Sequence, residues 1–349
     1  MEKSALLLIP HSYTLHSSIE RGLARLGYSV KLFDYRASIN NKVQKVNTQI
    51  FRFPNSIRAK WEQWYLKQIN NDHKEVFDTY NPQIVIIYNS EMLLPETVRY
   101  FREKGSKVIF FLGDSPYFTP QNKYYLSLLF QADLIVSPDS FWIQQLSLLG
   151  IKNIIHEFPG FNDQYLNGRE PTFEEKENYS CDLLFVGAGY ADVWGYKRAL
   201  FLSQFVDFDL KIYGNNKWHR WLAFFPELKE NFTEPKTRIT DETLQIMSKC
   251  AKLYPVDANP ALLNGLHLRV FDAIAMGVLP LVEYRKDLVH FFPKNLLPII
   301  ENYKDSSHLA KTYIANDTLR ESRLKELQNF CIEMFRSDIS LSRILNKLS

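Results

Sequence analysis

The sequence contains few of the residues that build covalent or metal-held frameworks. Only three of its 349 residues are cysteines, Cys181, Cys250 and Cys331. An odd number of widely spaced cysteines excludes a disulfide framework and a cysteine metal cluster. Free thiols are typical of a reducing compartment, so we expect a cytoplasmic protein.

Excess charge and long hydrophobic runs are also missing. The chain has 42 basic and 39 acidic residues, a net charge of +3. Nucleic-acid binders carry a clear basic excess, so we expect no nucleic-acid partner. No run approaches the roughly 18 apolar residues of a membrane-spanning helix. The apolar run at 5–9 lacks the basic flank and cleavage site of a secretory signal, so we interpret it as a buried strand.

Glycine is scarce, at 13 residues, and no G-x-G-x-x-G motif follows the first strand, where Ile9, Pro10 and His11 stand instead. This argues against a nicotinamide-dependent oxidoreductase of the usual Rossmann type. Aromatic residues are abundant, with 25 Phe, 19 Tyr and 6 Trp. We expect most of them in the core, with sugar stacking as the alternative role.

Short apolar runs alternate with helical patterns in both halves of the chain. Strands are predicted at 5–9, 29–33, 83–88, 107–112, 133–137, 181–186, 209–213, 251–254 and 278–282. Helices are predicted at 16–26, 94–103, 121–130, 139–149, 194–205 and 318–348, the last with a break near 337–338. Uninterrupted β-branched strands between helices indicate a parallel sheet covered on both faces.

The composition changes at 158–180, where Pro, Gly, Asn and Glu replace the periodic pattern. We interpret this stretch as a linker. It separates an N-terminal domain, 1–157, from a C-terminal domain, 181–335, and we expect the terminal helix, 336–349, to cross back to the first domain. The prediction is an α/β protein with two Rossmann-like doubly wound domains facing a cleft, and ligands near the carboxyl ends of the strands.

The most informative segment is 259–288, in which RVFDA at 269–273 is followed by Gly277. We expect its helix to begin near Leu266. The segment resembles the donor-binding helix of glycosyltransferases with the GT-B fold, and most closely the CgeB-like, group 1-like glycosyltransferases. Blocks similar to that group occur in the same order at 110–116, 182–187 and 209–214.

The resemblance implies an enzyme that transfers a sugar from a nucleotide-sugar donor, without a metal or another cofactor. Asp272 matches the acidic position of the family and would bind the ribose hydroxyls through charge-assisted hydrogen bonds. The alternative for Asp272 is a carboxylate that complements the dipole at the start of a helix.

Basic side chains must then neutralise the diphosphate. Arg269 lies one helical turn before Asp272 and is expected on the same face. Lys197 and Arg198 resemble the basic pair that GT-B enzymes direct at phosphates, although an exposed surface pair has the same appearance.

Other donor-side candidates come from turns. Gly187 and Gly189 would let the backbone approach a phosphate, or would serve only a tight strand–helix turn. Many retaining GT-B enzymes place two glutamates eight positions apart, but Asn264 stands eight positions before Asp272. The two-glutamate mechanism is therefore not supported. Asn264 and His267 are candidates for contacts with the sugar or base, with a capped loop as the alternative.

An inverting transfer needs a general base for the acceptor hydroxyl. Asp114 follows the strand at 107–112 and is our first candidate, with an Asx turn before Ser115 as the alternative. His11, after the first strand, is the second candidate because a neutral imidazole can take a proton. Glu91 is the third.

Several properties stay open at this stage. A UDP-linked donor is expected because such donors are common, and the acceptor is a cell-surface glycan, a lipid-linked sugar or a protein. The alternatives are a catalytically silent GT-B module that binds a sugar or a partner protein, and a GT-B sugar epimerase.

Two aromatic patches have two interpretations each. The basic segment 52–74, with Trp61, Trp64 and Tyr65, is either a solvated face with aromatics packed beneath it, or an acceptor platform or peripheral membrane contact at the inner face of the membrane. We expect the solvated face. The segment 217–221 (KWHRW) either closes over the donor or is a packed loop.

Overall fold

The computed structural model describes residues 3–11, 15–88, 92–117 and 124–348. The chain divides into two compact units: Met1–Gly160 with Ser337–Ser349, and Phe161–Arg336. Each unit contains one six-stranded sheet in which every strand pair is parallel. The predicted α/β class with two Rossmann-like domains is confirmed.

Unit 1 alternates strands and helices. Its strands are β1 Lys3–Leu8, β2 Tyr28–Phe33, β3 Ile84–Tyr88, β4 Lys107–Phe111, β5 Leu134–Ser137 and β6 Ile154–His156. Its helices are α1 Leu15–Arg25, α2 Tyr35–Ser38, α3 Asn41–Gln49, α4 Asn55–Tyr80, α5 Pro95–Glu103, α6 Tyr125–Leu129 and α7 Ser140–Leu148. The strand order is β2-β1-β3-β4-β5-β6.

Unit 2 has the same design. Its strands are β7 Cys181–Val186, β8 Leu210–Tyr213, β9 Phe232–Thr233, β10 Ala251–Val256, β11 Leu279–Glu283 and β12 Ile299–Ile300. Its helices are α8 Phe173–Tyr179, α9 Val193–Leu202, α10 Trp218–Leu222, α11 Asp241–Cys250, α12 Arg269–Met276, α13 Leu288–Phe291, α14 Ser306–Ile314 and α15 Asp317–Phe335. The strand order is β12-β11-β10-β7-β8-β9.

Central strands were predictable because they are buried on both faces. All five residues of β3 and of β11 are buried, so β3 is apolar throughout and β11 is apolar up to Glu283, its last residue. The edge strands β6, β9 and β12 have two or three residues each and carry no comparable run, so the sequence did not reveal them.

The terminal helical stretch is divided at Arg336, close to the predicted break. α16 Ser337–Leu345 belongs to unit 1 and packs against α1. At Gly22 of α1, a Cβ would lie 2.6 Å from Leu341 Cδ1 and 2.9 Å from the carbonyl carbon of Ser337. Glycine is therefore needed there for the close approach of two helices.

Most of the segment interpreted as a linker is ordered structure of unit 2. Its helix α8 begins with a capping box between Thr172 and Glu175, and Arg169 pairs with Glu175 at 2.6 Å. The polar composition therefore reflects a short solvated helix with its caps. No helix in the described ranges is long and apolar enough to cross a bilayer.

Candidate functional site

The order in which the chain adds strands to the sheet of unit 2 reverses between β7 and β10. From β7 the chain adds β8 and β9 on one side, and it then returns to add β10, β11 and β12 on the other. In sheets of this kind, ligands bind beyond the carboxyl ends of the strands at such a switch point. The residues that follow β7 and β10 are therefore the ones to examine.

A buried ion pair lies at this switch point. Arg198 of α9 donates from Nε and Nη2 to Asp257, which follows β10, over 3.0 and 3.1 Å, and both side chains are fully buried. Nη1 donates to the carbonyl of Ala188 over 2.6 Å, and Trp194 Nε1 donates to Asp257 over 2.9 Å. Burial alone would raise the pKa of Asp257, but the Arg198 charge and these hydrogen bonds lower it to about 2. Asp257 is therefore ionised at neutral pH.

Aromatic rings enclose the Arg198 guanidinium. Its central carbon lies 5.1, 5.2 and 4.8 Å from the ring centroids of Phe185, Tyr190 and Trp194. Burial lowers the pKa of Arg198, and Asp257 counteracts that effect. The ion pair and the rings fix the turn after β7. The proposed contact of Arg198 with a diphosphate stays a prediction, and its charge is already compensated by Asp257.

Lys197 also has an acidic partner. Its ammonium group binds Glu283 and donates to the carbonyl of Ala258 over 3.1 Å. Glu283 additionally accepts from the Ala258 amide over 2.8 Å and from Arg285 over 3.3 Å. The contact of Lys197 with phosphate stays a prediction, and it would require Lys197 to leave Glu283.

Arg269 is different, because its side chain forms no ion pair within the ranges that the structure describes. It is the first residue of α12, and its guanidinium carbon lies 5.5 Å from the ring centroid of Phe185. Its Nη1 is buried and has no hydrogen-bond partner among the residues that the structure describes. An uncompensated buried N–H donor is costly, which favours a missing anionic partner at this position.

The two glycines of the β7 turn make room for neighbouring side chains. A Cβ on Gly187 would lie 2.9 Å from Arg269 Nη1, and a Cβ on Gly189 would lie 2.6 Å from the amide nitrogen of Trp218. Their own amides already donate, Gly187 to the carbonyl of Tyr213 over 2.9 Å and Gly189 to Asn215 Oδ1 over 3.0 Å. Glycine is therefore required here by packing against Arg269 and Trp218.

His267 is held as a neutral imidazole. Its Nδ1 accepts from the Arg269 amide over 3.1 Å, which places the ring proton on Nε2. Burial and the nearby Arg269 charge lower the pKa of His267 to about 3. His267 can therefore offer one N–H donor at neutral pH. Asn264, three positions before it, accepts from the Asp287 amide over 2.9 Å through its backbone carbonyl.

Asp272 is half-buried one turn after Arg269. Burial raises the pKa of its carboxyl group to about 7, although Arg269 partly opposes this shift. Within the described ranges its side chain has no hydrogen bond or ion pair. A carboxylate in this condition gains stability when a ligand supplies hydroxyl donors.

His267, Asp257 and Glu283 border a recess with about 190 Å³ of open space. It lies at the carboxyl ends of β10 and β11 and at the start of α12. Among its lining residues are Asp257, His267, Val270, Glu283 and Arg285. Polar groups thus converge on one apolar recess, as expected of a small-molecule site. Asp257 and Glu283 escaped notice in the sequence, although their positions at strand ends were a usable signal.

The candidates for a base belong to unit 1. Asp114 is exposed in the loop after β4, and desolvation by the surrounding protein raises the pKa of its carboxyl group. His11 is exposed after β1, and its amide donates to Asp34 over 2.8 Å. Glu91 lies outside the described residues. No group of three His, Cys, Asp or Glu side chains within the described ranges could hold a metal ion.

The 217–221 segment forms most of α10 and is packed. Trp218 is fully buried, and its Nε1 donates to the carbonyl of Gly187 over 2.9 Å. Trp221 is also buried, and its Nε1 donates to the carbonyl of Tyr190 over 2.5 Å. α10 therefore supports the turn after β7 from behind.

No protein-family model matches the sequence, and no curated protein matches it. Solved structures match over nearly the whole chain. A UDP-forming α,α-trehalose-phosphate synthase from Burkholderia xenovorans has a TM-score of 0.64 at 11% identity, covering 100% of this chain and 99% of that one. HepE from Anabaena, solved with UDP-glucose, has a TM-score of 0.62 at 10% identity, covering 99% of both chains.

A third structure, described as a UDP-N-acetylglucosamine 2-epimerase from Listeria monocytogenes, has a TM-score of 0.56 at 12% identity, covering 99% of this chain and 95% of that one. The synthase and HepE are glycosyltransferases with the GT-B fold. The GT-B fold expected from the resemblance is therefore confirmed for this chain, while membership of the CgeB-like group stays a prediction.

Proposed function

We propose that this protein is a glycosyltransferase that takes a sugar from a nucleotide-sugar donor bound by unit 2. One observation carries the proposal: at the switch point of a parallel sheet, the buried Arg269 Nη1 has no hydrogen-bond partner among the described residues. The half-buried carboxyl group of Asp272, which has no hydrogen bond or ion pair within the described part of the chain, lies one helical turn away. A nucleoside diphosphate supplies an anion for the first group and ribose hydroxyls for the second.

In this proposal Arg269 and the positive end of the α12 dipole bind the diphosphate. Asp272 accepts from the ribose hydroxyls, and the Nε2–H of the neutral His267 donates to an oxygen of the donor. Arg198 acts as a positioning residue, because its ion pair with Asp257 and its bond to Ala188 hold the turn against which Arg269 packs. Asn264 supports the loop before α12 through its backbone carbonyl, which accepts from the Asp287 amide.

Asp114 is the proposed base of an inverting, metal-independent transfer, with His11 as the second candidate. The acceptor hydroxyl gives its proton to the carboxylate while its oxygen bonds to the anomeric carbon. The bond from that carbon to the phosphate oxygen breaks, and its electron pair leaves on the diphosphate. The positive charge of Arg269 stabilises this leaving group as its negative charge grows.

A uridine donor has the best support. HepE was solved with UDP-glucose, and an Escherichia coli protein of the trehalose-6-phosphate group was solved with UDP-2-fluoro glucose. We further propose that the acceptor is a glycan, a lipid-linked sugar or a protein, and that the reaction belongs to cell-surface glycan biosynthesis. The free thiols Cys181, Cys250 and Cys331 support a cytoplasmic location.

Thermal unfolding with UDP, GDP, dTDP, ADP and CMP tests the donor site. A nucleotide at 100 times its dissociation constant adds about 2.7 kcal/mol, which shifts the midpoint by about 5–10 °C in a unit of this size. We expect the shift with UDP, its loss in Arg269→Ala, and its retention in Arg238→Ala, which removes an exposed arginine of the same unit. If no nucleotide shifts the midpoint, the donor site is wrong.

One alternative has specific support, and a second is distinguished by the same assay. A silent GT-B module would bind the nucleotide, but it would not cleave a nucleotide-sugar to release the nucleotide. A sugar epimerase is favoured by the match to the Listeria protein. Chromatography of UDP-N-acetylglucosamine after incubation separates these outcomes, because an epimerase converts it to an isomer and a transferase releases UDP.

A further inference from the structure

Between β2 and β3, unit 1 carries a segment without a fully buried residue. It comprises residues 41–64, which form α3, the 3-10 turn Ile50–Arg52 and the first part of α4, and we call it the α3–α4 hairpin. None of its residues is buried, and every residue from 51 to 60 is exposed. The side chains of α4 reach the core only from Tyr65 onward.

The α3–α4 hairpin is nevertheless held in place at its base. Trp61 Nε1 donates to Asn47 Oδ1 over 3.0 Å, which ties α4 to α3. Trp61 and Val43 also pack against the buried cluster of Tyr35, Tyr65 and Ile69. The exposed part is therefore a fixed projection anchored at one end.

The projection exposes large apolar side chains. Phe51 is 63% exposed and Phe53 is 49% exposed, and the other exposed members are Val46, Ile57 and Trp64. Ile57 and Trp64 are seven positions apart on α4, so they share one face of the helix. Apolar side chains concentrated in this way mark a surface that meets another molecule. The expectation of aromatics packed beneath a solvated face is therefore wrong for Trp64, although it holds for Tyr65.

The net charge of the α3–α4 hairpin indicates which kind of molecule this surface meets. It contains five basic residues, Lys42, Lys45, Arg52, Arg58 and Lys60, against the single acid Glu62. Its net charge of +4 exceeds the +3 of the whole chain. A second copy of the hairpin would repel the first. An anionic bilayer surface instead attracts the cations and admits the aromatic and aliphatic side chains between its headgroups.

We propose that the α3–α4 hairpin docks the protein on anionic membranes, with Phe51, Phe53 and Ile57 inserted at the interface and Arg52, Arg58 and Lys60 at the headgroups. This surface is independent of the donor site, so neither proposal depends on the other. Docking would place the enzyme beside membrane-bound acceptors.

Co-sedimentation of the full chain with vesicles tests the proposal. We expect binding to vesicles of equal parts phosphatidylglycerol and phosphatidylcholine, and none to phosphatidylcholine alone. Each basic residue near such a surface contributes about one factor of five in affinity, so Arg52→Gln/Arg58→Gln/Lys60→Gln should bind on the order of a hundredfold more weakly. Phe51→Ser/Phe53→Ser should bind at least about tenfold more weakly.

The control is Leu148→Ser/Phe173→Ser, which removes two side chains that are 76% and 78% exposed elsewhere. It should bind as the unchanged protein does. All variants alter exposed positions, so their melting midpoints and UDP responses should stay unchanged. The proposal is overturned if anionic vesicles do not bind, or if the Phe51→Ser/Phe53→Ser variant binds them normally. It is also overturned if the Phe51→Ser/Phe53→Ser variant changes the oligomeric state instead. A further contrary result would be that the hairpin variants still bind the vesicles but no longer bind single-stranded RNA.

Discussion

Arg198 and Asp257 form a two-point ion pair, 3.0 and 3.1 Å long, in which neither side chain is accessible to solvent. Both ions have lost their hydration, so each depends on the other for compensation. The pair joins α9 to the end of β10, at the point where the strand order of the sheet reverses. It thus organises the turn that supports Arg269.

Breaking this pair should destabilise unit 2 strongly. Arg198→Met leaves Asp257 as an unpaired buried charge, and we expect a loss of about 3–5 kcal/mol, measured by thermal unfolding. The control Lys252→Met breaks a partly exposed pair with Asp182 and should cost at most about 1 kcal/mol. Arg198→Met/Asp257→Leu should be more stable than Arg198→Met alone, and a double variant that is no more stable would contradict a role for the unpaired charge.

Donor affinity should depend on pH through Asp272. In the free protein the pKa of its carboxyl group is about 7, and ribose hydroxyls bind the ionised form. Affinity should therefore fall as the pH is lowered through 7, by up to about tenfold per pH unit. Calorimetry with UDP-glucose measures this affinity. UDP-glucose has no terminal phosphate that titrates at about pH 6, so the charge of the ligand stays constant. Asp272→Asn should bind weakly with a flat profile, and a dependence that survives in this variant would exclude Asp272 as its source.

The same carboxyl group should reduce the stability of the free protein above neutral pH. Its pKa is about 7 when folded against an ordinary value of 3.8, so the cost of burying the charge is absent below pH 3.8 and complete above pH 7. Asp272→Asn should therefore stabilise the protein by on the order of 1–3 kcal/mol at pH 8 and by less at pH 5. Melting midpoints of Asp272→Asn and of the unchanged protein at the two pH values test this prediction. An equal gain in stability at both pH values would contradict the burial of Asp272.

Adding one methyl group at Gly187 should impair the site more than the fold. The new Cβ would lie 2.9 Å from Arg269 Nη1, the mobile end of a long side chain, and 2.9 Å from Cε1 of the buried Phe185 ring. We expect Gly187→Ala to weaken UDP binding by about tenfold and to lower the melting midpoint less than Gly214→Ala does. Gly214→Ala is the matched comparison, because its Cβ would meet the backbone oxygen of Gly187 at 2.5 Å. The opposite pattern would show that Gly187 serves only packing.

Asp114→Asn should separate binding from transfer. Its UDP-induced shift should be unchanged, while nucleotide release from the donor should fall on the order of 10²–10⁴-fold. Because desolvation by the surrounding protein raises the pKa of Asp114 above 3.8, activity of the unchanged enzyme should decline as the pH falls through that raised value. Asp72→Asn, another acid of unit 1, is the control. Full activity in Asp114→Asn together with loss in His11→Gln would transfer the role to His11.

The sequence predicts those strands and helices whose local residue pattern matches their surroundings in the folded protein. β3 is a continuous apolar run, and β11 is one up to Glu283, because both faces of each strand are covered. α12 ends at Gly277 because its φ of 88° is left-handed, where glycine is the least strained residue. α12 itself begins at Arg269, three positions later than expected, because the residues before it form the turn that contains His267.

The state of each charge was decided only by the tertiary structure. In the sequence, Lys197, Arg198 and Arg269 are all candidates for contacts with the diphosphate, and none of them has a visible acidic partner. Folding gives Glu283 to Lys197 and Asp257 to Arg198, which are 86 and 59 positions away in the chain, and leaves Arg269 Nη1 unpaired among the described residues. Local pattern determined the strands, helices and turns because those depend on near neighbours. Ion pairing and desolvation depend on residues far apart in the chain, so only the folded protein distinguishes the cation available to a donor from the two that are already paired.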